Sequence, residues 1–249
     1  MRKEMSAPLF ALAFALLAAG AARAADPFAA AASQTRSSDA KTRYDGAEGL
    51  AAIPGPRSVA VLEGLLASDA DGRVRQAAAS ALGRLGDASA APALIAALKD
   101  VSAPARFAAV RSLGALRARS GVPALSVLLG DPDASMRRTV ALELGQIGDP
   151  AAKEALKGSL VDADEGTRLE AAGALAHMGD AAGQTAAQDG LHSKNPVSRR
   201  RAALALARGG DASALPLLDA AFAAEKDRAT KATLGEARSR LRERLGLKK

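Results

Sequence analysis

Apolar residues recur along the chain at helical spacing, stop for a few polar residues, and start again. Between Asp71 and Leu85 they stand at Val74, Ala78, Leu82 and Leu85, a single stripe on a helix. Gly86 and Asp87 break that stripe, and Ala91, Leu94, Ile95 and Leu98 follow in the i, i+3, i+4, i+7 pattern of a second helix. The segment 69–99 that holds both helices returns at 100–130, 131–161, 162–192 and 193–223, always 31 residues on. Leu82, Leu113, Leu144, Leu175 and Leu206 mark the register. Asp71, Ser102, Asp133, Asp164 and Asn195 form a column of helix N-capping residue types. Asp87, Asp149, Asp180 and Asp211 do the same for second helices, where Pro92, Pro123, Pro150 and Pro216 sit early enough to lose no helical N–H bond. A fixed period of this length means stacked supersecondary units. Runs of alternating β-branched residues are missing, so the sequence predicts an all-α fold without strands. The expected form is a right-handed α-solenoid of antiparallel helix pairs, with layers about 10 Å apart. No helix pair can bury its apolar face alone, so stability must come from stacking.

Flanking segments lack the full pattern. Residues 56–68 follow Pro54 and carry Val59, Leu62, Leu65 and Leu66, which reads as a half repeat covering the first full one. Residues 25–55 are Ala-, Ser- and charge-rich without an apolar stripe and are expected to form a flexible leader. At the other end, 227–245 places Leu234, Ala237, Leu241 and Leu245 on one face, as a capping helix would. Residues 1–24 run from Arg2 and Lys3 through an apolar stretch, Leu9 to Ala22, to Ala22-Arg23-Ala24, the order of a secretory signal peptide. That stretch is short of the roughly 20 residues a membrane span needs. Cleavage near Ala24-Ala25 is expected, leaving a periplasmic or secreted protein.

Composition narrows the chemistry. Alanine dominates and aromatics are 2%, which suits closely approaching helices. The absence of cysteine excludes disulfides, thiol nucleophiles, thiolate metal sites and a lipid-modified N-terminus. His177 and His192 are not spaced as a helical pair, and no set of three or four metal ligands assembles around them. The net charge of +7 falls to +5 without 1–24, and 226–249 alone carries +6, so the array itself is close to neutral.

Arginine recurs at Arg75, Arg106, Arg137, Arg168 and Arg199, in the first turn of each first helix, where the helix dipole disfavours a cation. Asp69, Asp100, Asp131 and Asp162 repeat on the same step and could compensate it, forming an Asp–Arg ladder between layers. This reading ranks ahead of a basic stripe for an anionic ligand. Arg200 and Arg201 beside the column, and Arg238, Arg240, Arg242 and Arg244 in the C-terminal helix, are the candidate partner-binding residues. As a cap, that helix presents a polar face to water; as a recognition element, it could make weak contact with an anionic membrane. Gly86-Asp87-Ala88-Ser89-Ala90 returns as Gly210-Asp211-Ala212-Ser213-Ala214, but duplicated copies at a turn, without a histidine base, are caps rather than catalysts. Asp69-Ala70-Asp71-Gly72 lacks the later acidic positions of a calcium loop. Nucleic acid is not expected, because Phe28, Tyr44, Phe107 and Phe222 make no stacking platform.

Two repeats depart from the pattern. The second helix of repeat four contains Gly183 and Gly190 and lacks its siblings' leucines, which predicts the softest layer. In repeat two, Arg117-Ala118-Arg119 replaces Gly-Asp, so the turn loses its cap.

The unit running from Val74 and Arg75 through Leu82 to Gly86 and Asp87 resembles the HEAT repeat, in the short form found in phycobilin-lyase-like proteins, over about 46–245. The resemblance implies a curved stack whose usual work is protein binding. The resulting expectation is an exported, monomeric, non-enzymatic scaffold that binds an envelope protein. It uses no cofactor and no small-molecule substrate, and its concave face is built from the second helices. In the first repeat that face would present only Ala93, Ala96 and Ala97. The rival readings are a lyase-like enzyme or accessory and a membrane-surface adaptor.

Overall fold

The computed structural model describes residues 26–247, so the signal-peptide reading of 1–24 lies outside it. Among the described residues every regular element is helical. The chain begins with α1 (Pro27–Gln34), α2 (Ala40–Leu50) and α3 (Pro56–Ser68). This corrects the leader over 25–55: Asp26 and Asp39 cap α1 and α2, and Ala47 and Leu50 are completely buried. It also corrects the half repeat at 56–68, because α2 and α3 together form a full layer. Five further pairs follow, α4 (Gly72–Leu85) with α5 (Ala91–Ala97), α6 (Ala103–Ala115) with α7 (Val122–Val127), and α8 (Ala134–Ile147) with α9 (Lys153–Gly158). Then come α10 (Glu165–His177) with α11 (Ala181–Gly190), α12 (Pro196–Gly209) with α13 (Ala214–Ala224), and the closing helix α14 (Arg228–Arg244).

Capping explains where the helices start. Asp71, Asp133, Asp164 and Asn195 each accept a backbone N–H of the first turn, whereas Ser102 stands at its cap position without such a bond. Gly86, Gly148 and Gly179 end α4, α8 and α10 in the left-handed region, and Arg117 does so after α6 at φ +49°. First helices stack directly on one another because small residues line their contact. A Cβ on Gly145 would lie 2.7 Å from Ala174 Cβ, and one on Gly83 or Gly114 would meet Ser112 or Glu143. The core is a file of fully buried leucines, one per helix: Leu82, Leu94, Leu113, Leu125, Leu144, Leu156, Leu175, then Leu206 and Leu218.

At the α11 position of that file stands Ala187, and there the core divides into two clusters that meet on α10. The glycines of α11 are not gaps, however. Gly183 backs onto Leu175 and Gly190 onto Leu169, so the helix moves in where the leucine is missing.

Candidate interaction face

The arginine column is tied to the loops between layers. Arg75 Nε and Nη2 donate to both carboxylate oxygens of Asp100 at 2.6 and 2.7 Å, and Nη1 donates to the Asp69 carbonyl at 2.7 Å. Arg137 repeats this with Asp162 and the Asp131 carbonyl, at 2.8 Å throughout. One guanidinium thus closes the loop before its layer and the loop after that layer. The carboxylates also accept the backbone N–H two residues on, as Asp100 does from Ser102 at 2.7 Å. Bidentate charge-assisted bonds of this kind are among the stronger polar contacts, and the arginine beside them holds the Asp69, Asp100 and Asp162 carboxyls below their usual range.

Two rungs are incomplete. Arg106 and Arg168 keep their carbonyl bonds, to Asp100 and Asp162, at 2.8 and 2.6 Å. Neither makes an ion pair among the described residues, since Asp131 stays apart from Arg106 and Ser193 occupies the position facing Arg168. Two rungs extend the ladder beyond the sequence pattern. Arg43 grips Asp69 at 2.7 and 2.9 Å, and Arg199 grips Glu225 at the same distances. Both spans are 26 residues rather than 25, so a strict 31-residue period passes over them.

The remaining basic candidates are drawn into the end of the stack. Arg238 lies 2.5 Å from Asp219 and 4.7 Å above the Phe222 ring, with Arg242 3.7 Å from the same carboxylate. Arg240 pairs along its own helix with Glu236, and Arg244 donates to the Ala207 and Gly210 carbonyls. Arg200 and Arg201 sit 3.8 Å from Asp227 and Glu170. On α14, Leu234, Ala237 and Leu241 are fully buried, which ties this helix into the array.

Recesses involving second helices lie at α3 and α13, and two more lie on the outward side of the first helices. One hollow of about 340 Å³ lies between α4 and α6, with Arg84 and Arg111 on its rim. A second, of about 150 Å³, is bounded by Arg117, Leu142, Gly145, Glu170, His177 and Arg208 across α6 to α12. Arg208 pairs with Glu170 at 3.2 Å and Arg84 with Glu48 at 2.8 Å, while Arg111 and Arg117 are exposed with no ion-pair partner among the described residues. Ala97, placed by the sequence on an outward face of the second helix, is buried. Sequence reasoning missed this face because Arg84 and Arg208 share one repeat position that Ala115, Gln146 and His177 fill in between, while Arg111 and Arg117 stand at two others, so no arginine column shows.

Beneath Arg111 lies Glu143, 5% exposed, with no hydrogen-bond or ion-pair partner among the described residues. Burial pushes its carboxyl up to about 7, against the opposing pull of Arg111. No group of three or more His, Asp or Glu among the described residues is placed to hold a metal ion. No helix among them is long and apolar enough to cross a membrane.

A family model described as HEAT repeats matches residues 25–106, 91–168 and 158–237. Among solved structures, the CpcE–CpcF complex of phycocyanin lyase from Nostoc is similar at 24% identity and a TM-score of 0.61, covering 85% of this chain and 93% of that one. The Escherichia coli protein YibA is similar at 18% identity and a TM-score of 0.61, covering 97% and 99%. An archaeal HEAT-like repeats protein from Thermococcus onnurineus gives 16% and 0.55, covering 88% and 98%. At these identities the likeness shows the fold alone. No curated protein matches the chain significantly.

Proposed function

The chain belongs to the HEAT-repeat family, and from that premise we propose that it is a non-catalytic scaffold, exported to the cell envelope, that holds another protein on its array. The observation carrying this reading is the ladder. It fixes four of the loops between layers with bidentate arginine–carboxylate contacts, and so presents the first helices as one continuous surface. Arg43, Arg75, Arg137 and Arg199 and the carboxylates they grip are engaged in these joints. Export rests on the order of Arg2, Lys3, the apolar run Leu9 to Ala22, and Ala22-Arg23-Ala24. The scaffold acts as a monomer and needs no cofactor, small-molecule substrate or nucleic acid. A lyase-like role finds no residue in its favour, since the likeness to the lyase complex concerns the fold. An anionic-membrane role for α14 is weakened because Arg238, Arg242 and Arg244 point back into the stack.

Crosslinking in intact envelopes tests the proposal. Deleting 226–249 would remove the buried Leu234, Ala237 and Leu241, so the comparison uses the exposed substitutions Lys226→Gln, Arg228→Gln and Arg240→Gln instead. Capture of one protein partner at equal yield by both forms is the expected result. Recovery of lipid alone, or capture that needs those three residues, makes α14 the active end and overturns the scaffold. Retention of the unprocessed chain in the cytoplasmic fraction overturns export.

A further inference from the structure

The two hollows on the first helices lie in line along the stack, and four arginines stand on them against a single acidic lining residue, Glu170. Arg117 is the telling one. It is the only non-glycine residue among those described with a positive φ, at a turn where Gly86, Gly148 and Gly179 do the same work without strain. Its side chain is exposed and has no ion-pair partner among the described residues to compensate the backbone. Glycine would hold this turn without the strain, so an arginine side chain kept there points to a role outside the fold. Arg111, six residues earlier in α6, is likewise exposed and unpaired among the described residues. Between the rims the floor is apolar and small, with Leu142, Gly145 and Ala174.

We infer that this furrow docks an extended, acidic segment of another protein, an assignment that rests on the scaffold reading and gives it a site. Five layers about 10 Å apart offer roughly 40 Å of furrow, which an extended chain fills with about 12 residues. Carboxylates on alternate residues would meet Arg84, Arg111, Arg117 and Arg208, while small side chains lie on the floor. An apolar recess between charged rims suits an extended chain, whose successive side chains reach rim and floor in turn, whereas a flat headgroup plane would meet the rims and leave the floor empty.

The probe is a fluorescein-labelled peptide of alternating Asp, Glu and Ala residues, read by anisotropy against the intact protein. The variant Arg111→Gln, Arg117→Gly, Arg208→Gln binds it about tenfold more weakly than the parent, and added salt narrows the gap. The variant Lys226→Gln, Arg228→Gln, Arg240→Gln removes the same charge from α14 and the residue before its cap, and stays within twofold of the parent. Arg117→Gly alone keeps or raises the melting temperature, which separates lost binding from lost folding. Equal weakening by both triple variants, or by neither, overturns the furrow. So does a loss by the first triple that appears in sedimentation with phosphatidylglycerol vesicles and not with the peptide. If envelope crosslinking to a protein partner survives the furrow triple, the scaffold stands and the furrow falls.

Discussion

Arg137 and Arg106 hold the same place in successive repeats, yet only Arg137 reaches a carboxylate, with both nitrogens 2.8 Å from Asp162. Its side chain and that of Asp162 are mostly buried, so Arg137→Ala leaves a shielded charge unpaired. A loss of about 1–3 kcal/mol follows, read as a lower melting temperature, while Arg106→Ala costs less. Equal losses would mean that the carbonyl bonds, common to both, do all the stabilising. Glu143 behaves in the opposite sense to the ladder acids. Its folded-state value of about 7 lies above the ordinary 4.5, so the native state binds its proton more tightly than the unfolded chain. The stabilisation is complete below the unfolded value and disappears as pH rises through 7. The expected result is a melting temperature that falls between pH 6 and pH 8, with a flatter profile for Glu143→Gln. Asp100 and Asp162, held low by arginine, remove stability only as pH falls below the ordinary carboxylate range.

Among the elements, α2 shows what the sequence concealed and why. Asp39, Arg43 and Leu50 correspond to Asp71, Arg75 and Leu82, but each stands 32 residues earlier instead of 31. One extra residue moved a whole layer out of register, and its Ala- and charge-rich composition then read as a leader. The five central layers were legible because cap, arginine and leucine columns agreed in one period. Leu50→Ala should therefore cost about 2–5 kcal/mol, as a core leucine does, and the backbone amides of α2 should exchange as slowly as those of α4. An unchanged denaturation midpoint would return this segment to the status of a leader. In α11 the same reading saw the glycines and the missing leucines but not the compensation, because close approach to Leu169 and Leu175 is a tertiary fact. The furrow was illegible for a related reason. Its arginines form no continuous column, Arg84 and Arg208 standing four repeats apart at one position and Arg111 and Arg117 at two others, and only the stacking of α4, α6, α8, α10 and α12 puts them in line.

For the whole molecule, each layer is held mainly by its neighbours, and α14 covers the last one with a first-type helix. Stability should accordingly fall off towards the ends and be lowest where the leucine file is interrupted at Ala187. Amides of α12 to α14 are expected to exchange together and ahead of those of α6 and α8; uniform protection would show that the two core clusters unfold as one. The ladder carries a further consequence for ancestry. Because an arginine and the carboxylate it grips lie 25 residues apart, as Arg75 and Asp100 do, both fit inside one 31-residue unit. A gene segment of that length, copied in frame, brings its own joint with it and leaves the flanking joints intact. Chains of this kind can therefore lengthen or shorten by whole layers during descent without relearning how to fold.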